Sequence, residues 1–358
     1  MKERSDTMLT RRDVLHMVPA WALVSSARVT EGEDFARIDT HIHIHRDAPN
    51  LVSALKESKW RGLDIVVCPA TADEPFDLED KLRATLKVSR DSGGTLAWAS
   101  TFDARGFEGP TFAERTIARL QRSFADGAIG VKIWKTIGMA IKSKAGAYLL
   151  PDDPSLLPIY EAIQRADRTL VAHLAEPNGA WLPLDANNPE LSYYSANPQW
   201  HMLGRAGTPS KEAILKARDR VLERYPKLRV VGCHLGSDED NLKQLATRLD
   251  AHPNFAVDTA ARVRYFARGE RNQVREFLNR YQDRILYATD FSLRDGDPAA
   301  AARSMQAVHD RDWRFFSGSD KMDYAGHPTQ GLALSDGVLR KIFHDNALRW
   351  LPGLGALA

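Results

Sequence analysis

Short apolar segments alternate with longer amphipathic segments along most of the chain. Eight segments rich in β-branched and apolar residues have the length of buried strands. These predicted strands are residues 37–44, 63–69, 95–102, 128–134, 169–174, 228–235, 254–259 and 285–290. Other segments have the apolar spacing of amphipathic helices. These predicted helices are residues 77–90, 111–124, 155–167, 210–225, 238–250, 271–281 and, last, 334–351.

The alternation of strands and helices predicts a parallel sheet. Eight such strands in one domain indicate an α/β protein with a single (β/α)₈ TIM barrel. The alternative is an open doubly wound sheet, but no Gly-x-Gly-x-x-Gly motif follows the first strand. Three connections, residues 135–154, 176–209 and 292–331, are long for a compact domain. All three follow carboxyl ends of strands, where barrel enzymes hold their active sites.

Composition narrows the possible classes of function. The 358 residues are 43% hydrophobic, and 49 basic residues against 47 acidic ones leave a net charge of +2. This balance favours neither nucleic-acid binding nor binding to a membrane surface. No apolar run approaches the roughly 20 residues of a membrane-inserted helix. We therefore expect a small-molecule substrate as the partner, and a homo-oligomer is an open alternative.

The first 27 residues resemble a twin-arginine export signal. Arg11 and Arg12 precede a weakly apolar segment that ends in the small residues Ser25, Ser26 and Ala27. This pattern predicts a signal peptide over residues 1–27, a barrel domain over residues 28–358 and a periplasmic location. A basic leader on a cytoplasmic enzyme is the alternative.

Two imidazoles lie close together in the first predicted strand. Side chains alternate between the two faces of a strand, so Asp39, His41 and His43 are predicted to point to the same face. Two neutral imidazoles at this spacing suit a divalent cation better than an apolar core.

Three further polar residues end other predicted strands. His173 ends the fifth strand, His234 the sixth and Asp290 the eighth. In a barrel these ends converge on one mouth, together with His41 and His43. Packing alone does not require imidazoles and a carboxylate at all of these positions. The pattern therefore indicates a metal site at the barrel mouth.

These residues resemble the amidohydrolase superfamily, in particular its amidohydrolase-related branch, over residues 36–351. The matching motifs are Asp39-Thr40-His41-Ile42-His43, Gly130-Val131-Lys132-Ile133, Ala172-His173, Cys233-His234-Leu235-Gly236-Ser237, Ala288-Thr289-Asp290 and Lys341-Ile342-Phe343-His344-Asp345-Asn346-Ala347. The branch includes lactonases, a pyrone-dicarboxylate hydrolase and metal-dependent non-oxidative decarboxylases.

The resemblance implies roles for the residues at the strand ends. His41, His43, His173 and Asp290 would bind one divalent metal ion, with Zn²⁺ expected and Mn²⁺ or Fe²⁺ as alternatives. Asp290 would also take a proton from an activated water and deliver it to the leaving group. His234 would polarise the attacked carbonyl or stabilise an oxyanion.

Lys132, in the fourth predicted strand, is expected to pair with a substrate carboxylate. An ion pair with Asp39 or Glu176 is the alternative, and in two-metal relatives a lysine here is carboxylated and bridges the ions. Arg262 and Arg264 follow the seventh strand, where arginine suits a planar carboxylate. Either arginine could instead form an ordinary ion pair.

Aromatic residues are concentrated in the connection after the fifth strand. This connection predicts either a lid over a pocket or a subunit interface. Position alone adds Trp134 and Glu176 as candidates. The complete set of residues predicted to contact substrate is Lys132, Trp134, Glu176, Tyr193, Trp200, His201, Arg262 and Arg264.

Three functions are compatible with these residues. The first is a metal-dependent hydrolase acting on a small carboxylated lactone, ester or amide. The second is a non-oxidative decarboxylase on the same barrel. The third is an inactive periplasmic binding barrel, which the complete set of ligand-type residues disfavours.

We predict that residues 1–27 are absent from the mature protein. Recognition of Arg11 and Arg12 by the export machinery would be followed by cleavage after Ala27. N-terminal sequencing of the protein from its native host tests this. Replacing both arginines with lysine should leave unprocessed chain in the cytoplasm, whereas wild-type protein that starts at Met1 in that fraction would refute export.

Overall fold

The strands of the computed structural model form a barrel that confirms the predicted fold. The structure describes residues 35–71, 75–293 and 296–355, so the predicted leader lies outside the described residues. The strands of the main sheet are β1 (Arg37–His43), β2 (Trp60–Ile65), β3 (Leu96–Thr101), β4 (Gly130–Ile133), β5 (Thr169–Ala172), β6 (Val230–Gly232), β7 (Phe255–Asp258), β8 (Ile285–Leu286) and β9 (Phe291–Ser292). All adjacent pairs are parallel, in the order β8-β7-β6-β5-β4-β3-β2-β1-β9.

Helices lie between the strands and after the last strand along the chain. They are Pro49–Glu57, Leu78–Asp91, Phe112–Ala125, Leu157–Arg165, Leu191–Ala196, Lys211–Arg224, Leu242–Ala251, Val263–Arg268, Arg271–Arg280, Pro298–Ser317, Asp336–Arg340 and Asn346–Trp350. Shorter helical turns are Thr136–Met139, Asn178–Trp181, Pro198–Trp200, Cys233–Gly236 and Lys341–Asp345. The helix Pro298–Ser317 and the hairpin β10 (Lys321–Tyr324) and β11 (His327–Gln330) occupy most of the connection that was predicted as a long loop.

The last predicted barrel strand is divided in two. β8 pairs with β7, β9 pairs with β1, and Asp290 lies between them with a φ of 64°. Backbone hydrogen bonds from Thr40 to Tyr287 and from Asp290 to His41, at 3.0 and 2.9 Å, join this segment to β1. The sheet therefore closes on itself, which excludes the open doubly wound alternative.

Apolar residues fill the barrel interior and plug its lower end. Ile38, Leu63 and Val231 belong to a buried cluster inside the barrel. Trp350 and Leu354 from the carboxyl-terminal segment belong to the same cluster. The plug closes the end where the strands begin, so the opposite end, where the strands finish, is left for the polar residues.

None of the helices in the described ranges is both long and apolar enough to span a bilayer. Cys68 and Cys233 are both buried and free.

A bulge in β1 breaks the strict alternation of its side chains. Asp39 lies opposite Gly62 of β2, but Ile42 lies opposite Asp64, so three steps along β1 match two along β2. One extra residue moves every later side chain to the other face. As a consequence, Ile38 packs inside the barrel and Ile42 packs outside against the helices.

Asp39 consequently does not share a face with the two histidines, and that prediction is wrong. Its carboxylate turns outward, where it accepts hydrogen bonds from His309 Nε2 at 2.9 Å and from Thr289 Oγ1 at 2.6 Å. It also accepts the backbone N–H groups of His41 and Thr289 at 3.2 and 3.1 Å. Asp39 thus connects β1 to the last strand and to the outer helix Pro298–Ser317.

Replacing Asp39 with alanine should destabilise the barrel. The change leaves the buried donors of His309 and His41 and the partly buried hydroxyl of Thr289 without their acceptor, and each such loss costs about 1–3 kcal/mol. We expect the free energy of unfolding to fall by at least about 3 kcal/mol in urea titrations. Asp126→Ala, which removes an exposed ion pair with Arg90, is the control and should change it by less than about 1 kcal/mol. Equal effects of the two variants would contradict this reading of Asp39.

Candidate metal centre and active site

His41, His43 and Asp290 converge at the barrel mouth. The Nε2 atoms of His41 and His43 lie 3.5 and 3.3 Å from Oδ1 of Asp290. One ligand-type atom from each of the three residues lies within 4.8 Å of the others. The bulge in β1 and the break between β8 and β9 place these atoms together.

The partners of Nδ1 in His41 and His43 show that Nε2, the ring atom facing Asp290, carries no proton. His41 Nδ1 lies 2.9 Å from the Asp258 carboxylate, and His43 Nδ1 lies 2.7 Å from the carbonyl oxygen of Ile65. Both partners accept hydrogen bonds, so Nδ1 carries the proton in each neutral ring. Each Nε2 then presents a lone pair towards the Asp290 carboxylate. Such a convergence of lone pairs and negative charge fits a cation.

The surroundings favour the ligand forms of these side chains. Burial lowers the pKa of His41, which favours the neutral ring. Burial by itself would raise the pKa of Asp290, but a hydrogen bond from His43 and the positive charge that His234 and His41 carry when protonated bring that pKa well below its usual range. Asp290 is therefore an anion at neutral pH beside imidazoles that can donate lone pairs.

His173 and His234 form a second imidazole pair. His234 Nδ1 lies 2.8 Å from the carbonyl oxygen of Ala260 and must donate to it, which leaves Nε2 as an acceptor. His173 Nδ1 lies 3.1 Å from that Nε2 and therefore donates to it. The remaining nitrogen, His173 Nε2, is buried without a hydrogen-bond partner. A buried, unpaired lone pair is the state expected of a ligand.

Burial also lowers the pKa of both of these rings. The pKa of His234 falls to about 3, and that of His173 falls well below its usual value. His173 does not belong to the compact group formed by His41, His43 and Asp290, so its role as fourth ligand stays a prediction. Both ring nitrogens of His234 are already paired, and its catalytic role likewise stays a prediction.

A cavity of about 220 Å³ opens beside these residues. Residues predicted from sequence to bind metal or substrate form much of its lining. They are His173, Glu176, Tyr193, His234, Arg262, Arg264 and Asp290. The cavity therefore joins the candidate ligands to the two arginines after β7.

Arg262 and Arg264 differ in how far other groups neutralise them. The Arg264 guanidinium lies 2.9 and 3.0 Å from the two carboxylate oxygens of Glu190. Arg262 is buried, and its Nε lies 3.5 Å from Glu239 without a hydrogen bond. Burial would lower the pKa of Arg262, but Glu239 and other nearby anionic groups raise it overall, so the guanidinium stays charged. Arg262 Nη1 also donates to the carbonyl oxygen of Ala261 at 3.4 Å, and of the two arginines Arg262 has the more distant carboxylate partner.

Lys132 lies inside the barrel rather than on the cavity wall. Its ammonium group is 2.8 Å from Cys233 Sγ and 3.3 Å from His41 Nε2. Of the described contacts, none joins it to Asp39 or Glu176. Lys132 is not part of the cavity lining, and its contact with substrate stays a prediction.

Lys135 was not among the residues predicted from sequence. It is 3% exposed, forms an ion pair with Glu176, and lies 2.9 Å from the hydroxyl of Tyr193. Its ammonium lies 4.2 Å from the ring centre of Trp200. The available signal was a lysine just past the fourth predicted strand, next to Trp134. Lys135 rather than Lys132 is therefore the partner of Glu176.

The remaining predicted residues lie around this lysine or farther along the same connection. Trp134 contacts both Trp200 and His173, with ring centres 5.1 and 6.4 Å apart. Tyr193 lines the cavity, whereas Trp200 is buried and is not part of the lining. His201 Nε2 lies 2.8 Å from the carbonyl oxygen of Leu182, within the connection. The structure thus groups Trp134, Tyr193 and Trp200 and ties His201 to loop backbone.

The fold and the site together define a class of protein: a barrel with a candidate metal centre at the carboxyl ends of its strands. A family model described as amidohydrolase matches residues 38–353. The chain therefore belongs to the amidohydrolase family, which confirms the resemblance, and it is an enzyme of that superfamily, whose members are metal-dependent. It has no significant match among curated protein sequences.

Several solved structures are similar to this chain at low sequence identity. The 2,6-dihydroxybenzoate decarboxylase from Rhizobium matches with a TM-score of 0.53 and 14% identity, over 88% of this chain and 98% of that chain. A putative amidohydrolase from Staphylococcus aureus matches at 0.49 and 13%, over 88% and 99%. Dihydroorotase from Campylobacter jejuni matches at 0.47 and 12%, over 88% and 82%. At 14% identity, the likeness to the Rhizobium protein shows the fold alone.

We predict that the purified protein binds about one divalent ion per chain. His41→Ala/His43→Ala removes two of the three converging lone-pair donors, so elemental analysis should find little bound metal in this variant. His327→Ala, on the separate hairpin, is the matched control and should keep the wild-type content. His173→Ala tests the fourth ligand and should lower the content as well. Equal metal in the wild type and the double variant, or none in either, would contradict the assignment.

Proposed function

We propose that the protein is a metal-dependent hydrolase that acts on a small carboxylated lactone, ester or amide. The observation that carries this proposal is the convergence of His41 Nε2, His43 Nε2 and Asp290 Oδ1 beside a cavity that also contains Arg262. A cation site next to a buried guanidinium suits a substrate with a reactive carbonyl at one end and a carboxylate at the other.

His41, His43, His173 and Asp290 would hold the ion, with Zn²⁺ expected for this donor set. When bound, such an ion polarises a carbonyl and lowers the pKa of water to about 7. Asp290 would supply the proton-transfer function by accepting a proton from water and returning it to the leaving group.

Arg262 is proposed to bind the substrate carboxylate. Its guanidinium is buried, charged and only loosely paired with Glu239, so an incoming carboxylate gains hydrogen bonds that the free protein leaves open. Arg264 lies at the same cavity but is engaged with Glu190. Orientation by Arg262 would place the opposite end of a small substrate near Asp290.

A non-oxidative decarboxylase is the second candidate. Arg262 lies at the same cavity as the candidate metal ligands and would hold a carboxylate that leaves as carbon dioxide. The Rhizobium protein with this fold is named as a decarboxylase. In this reaction the substrate carbon that loses carbon dioxide takes up a proton. Asp290 would have to carry that proton during turnover. A periplasmic location, by twin-arginine export, is part of the proposal for either reaction.

A substrate panel distinguishes the two reactions. Metal-loaded protein is incubated with matched lactones, esters and amides, with and without a carboxylate, and with aromatic and unsaturated carboxylic acids. Hydrolysis adds the mass of water, whereas decarboxylation releases carbon dioxide, so mass spectrometry and carbon dioxide detection separate them. We expect hydrolysis restricted to carboxylated compounds. Carbon dioxide release without hydrolysis would establish the second candidate, and turnover of uncharged compounds alone would remove the role of Arg262.

Asp290→Asn should reduce turnover far more than stability. The amide keeps the shape of the side chain but cannot accept the proton, and general acid–base assistance is typically worth about 10²–10⁴ in rate. We expect a loss of at least about 100-fold with an unfolding temperature near that of the wild type. The metal content of the variant is measured in parallel. Near-wild-type turnover by metal-loaded Asp290→Asn would show that another group moves the proton.

A further inference from the structure

Asp258 is a buried carboxylate that touches the site without lining its cavity. It is the last residue of β7 and is 1% exposed. Both oxygens have partners: Oδ2 faces His41 Nδ1 at 2.9 Å, and Oδ1 accepts the backbone N–H groups of His234 and Ala260 at 2.7 and 3.1 Å. One side chain therefore connects β1 with the segments that follow β6 and β7.

The segment after β6 is an unusual backbone turn. His234, Leu235, Gly236 and Ser237 have φ values of 59°, 56°, 63° and 63°, which forms a left-handed turn. Residues other than glycine avoid this conformation unless surrounding contacts hold it. The bond from His234 N–H to Asp258 holds its beginning, and the bond from Ser237 Oγ to the carbonyl of Ala175, at 2.8 Å, holds its end.

The contacts of Asp258 continue into the second imidazole pair. Oδ1 fixes Ala260 through its N–H, and the carbonyl of Ala260 accepts the Nδ1 proton of His234. His234 Nε2 then accepts the Nδ1 proton of His173, which leaves His173 Nε2 without a proton. The orientation of three imidazoles thus traces back to one carboxylate.

We propose that Asp258 is a positioning residue that determines which ring nitrogens of His41, His234 and His173 carry protons. It acts on His41 directly, and on His234 and then His173 through the backbone at Ala260. The result is that His41 Nε2 and His173 Nε2 present lone pairs to the centre. The inference rests on the proposed metal site, where such outer partners orient ligand imidazoles.

Asp258→Asn should change the position of the proton on His41 but not those of the protons on His234 and His173. The amide has one accepting oxygen and one donating nitrogen. The oxygen must accept the two backbone N–H groups of His234 and Ala260, whose positions are fixed. The amide nitrogen then faces His41 Nδ1 and donates to it. His41 must move its proton to Nε2, whereas the protons on His234 and His173 stay where they are.

Nitrogen-15 NMR of the metal-free protein reads out these protons directly. Wild-type protein should show unprotonated Nε2 on both His41 and His173, with signals assigned from His41→Asn and His173→Asn. In Asp258→Asn, only His41 should change. Zn²⁺ affinity, measured by chelator competition, should fall about 10–100-fold, the usual effect of losing an outer partner of a metal ligand.

Asp312→Asn is the matched control. Asp312 is also a buried carboxylate, bonded to Tyr287 and Tyr324 instead of an imidazole, so its loss should cost stability but leave ring protons and Zn²⁺ affinity unchanged. An unprotonated His41 Nε2 with wild-type Zn²⁺ affinity in Asp258→Asn would overturn the inference. If that variant does not fold, a protonated Nε2 on His41 or His173 in the wild type would overturn it equally. Absence of Zn²⁺ binding by wild-type protein would instead refute the proposed function.

Discussion

Closure of the barrel between its first and last strands is the constraint on which the site depends. The backbone N–H of Asp290 donates to the carbonyl of His41, and the backbone N–H of Leu293 donates to that of His43, both at 2.9 Å. These two bonds fix the height of Asp290 relative to the two imidazoles. Outside the barrel, the carboxylate of Asp39 also joins β1 to Thr289 of the last strand segment and to His309. Without closure, residues separated by about 250 positions in sequence would have no reason to meet.

The junction between the first and last strands also accounts for the break between β8 and β9. Asp290 has a positive φ, which an aspartate tolerates better than most residues but which still interrupts the strand into β8 and β9. The distortion turns the carboxylate towards His41 and His43. The positive φ of Asp290 and the backbone hydrogen bonds on either side of it therefore together set the direction of its carboxylate.

The connection of residues 176–209 covers the mouth and is attached at two points. On one side, Glu176 and Tyr193 contact the buried ammonium of Lys135. On the other side, Glu190 is bound by Arg264 and by the hydroxyl of Tyr265, which lies 2.7 Å from it. These attachments support the lid alternative. The same connection carries exposed apolar residues, so a subunit interface remains a prediction as well; these residues are Leu182, Leu184, Tyr193 and Leu203.

Lys135 also shows why burial of charge at this mouth is costly without partners. Burial lowers the pKa of its ammonium group, whereas Glu176 opposes that shift. Removal of Glu176 alone would leave an unpaired charge in a buried aromatic environment, which is far more destabilising than loss of a surface ion pair. The attachment therefore constrains which residues can change independently in this connection.

The barrel and most of the candidate ligands follow from the sequence by itself. Alternation of apolar and amphipathic segments depends on local periodicity, and strand ends in a barrel converge whatever the details of packing. That reasoning placed His41, His43, His173, His234 and Asp290 at one mouth, as the structure also places them. It could not place Asp39, because a bulge depends on the pairing of β1 with its neighbour and leaves no periodic signal.

Only the tertiary structure decided the partners of the buried charges. Asp258 and Lys135 are single charged residues near strand ends, and nothing local distinguishes them from helix caps or surface groups. Their importance arises from contacts across the barrel, with His41 for the one and with Glu176 for the other. Hydrogen-bond geometry is decided at the scale of ångströms by packing between distant segments, whereas sequence periodicity specifies only which face of an element is buried.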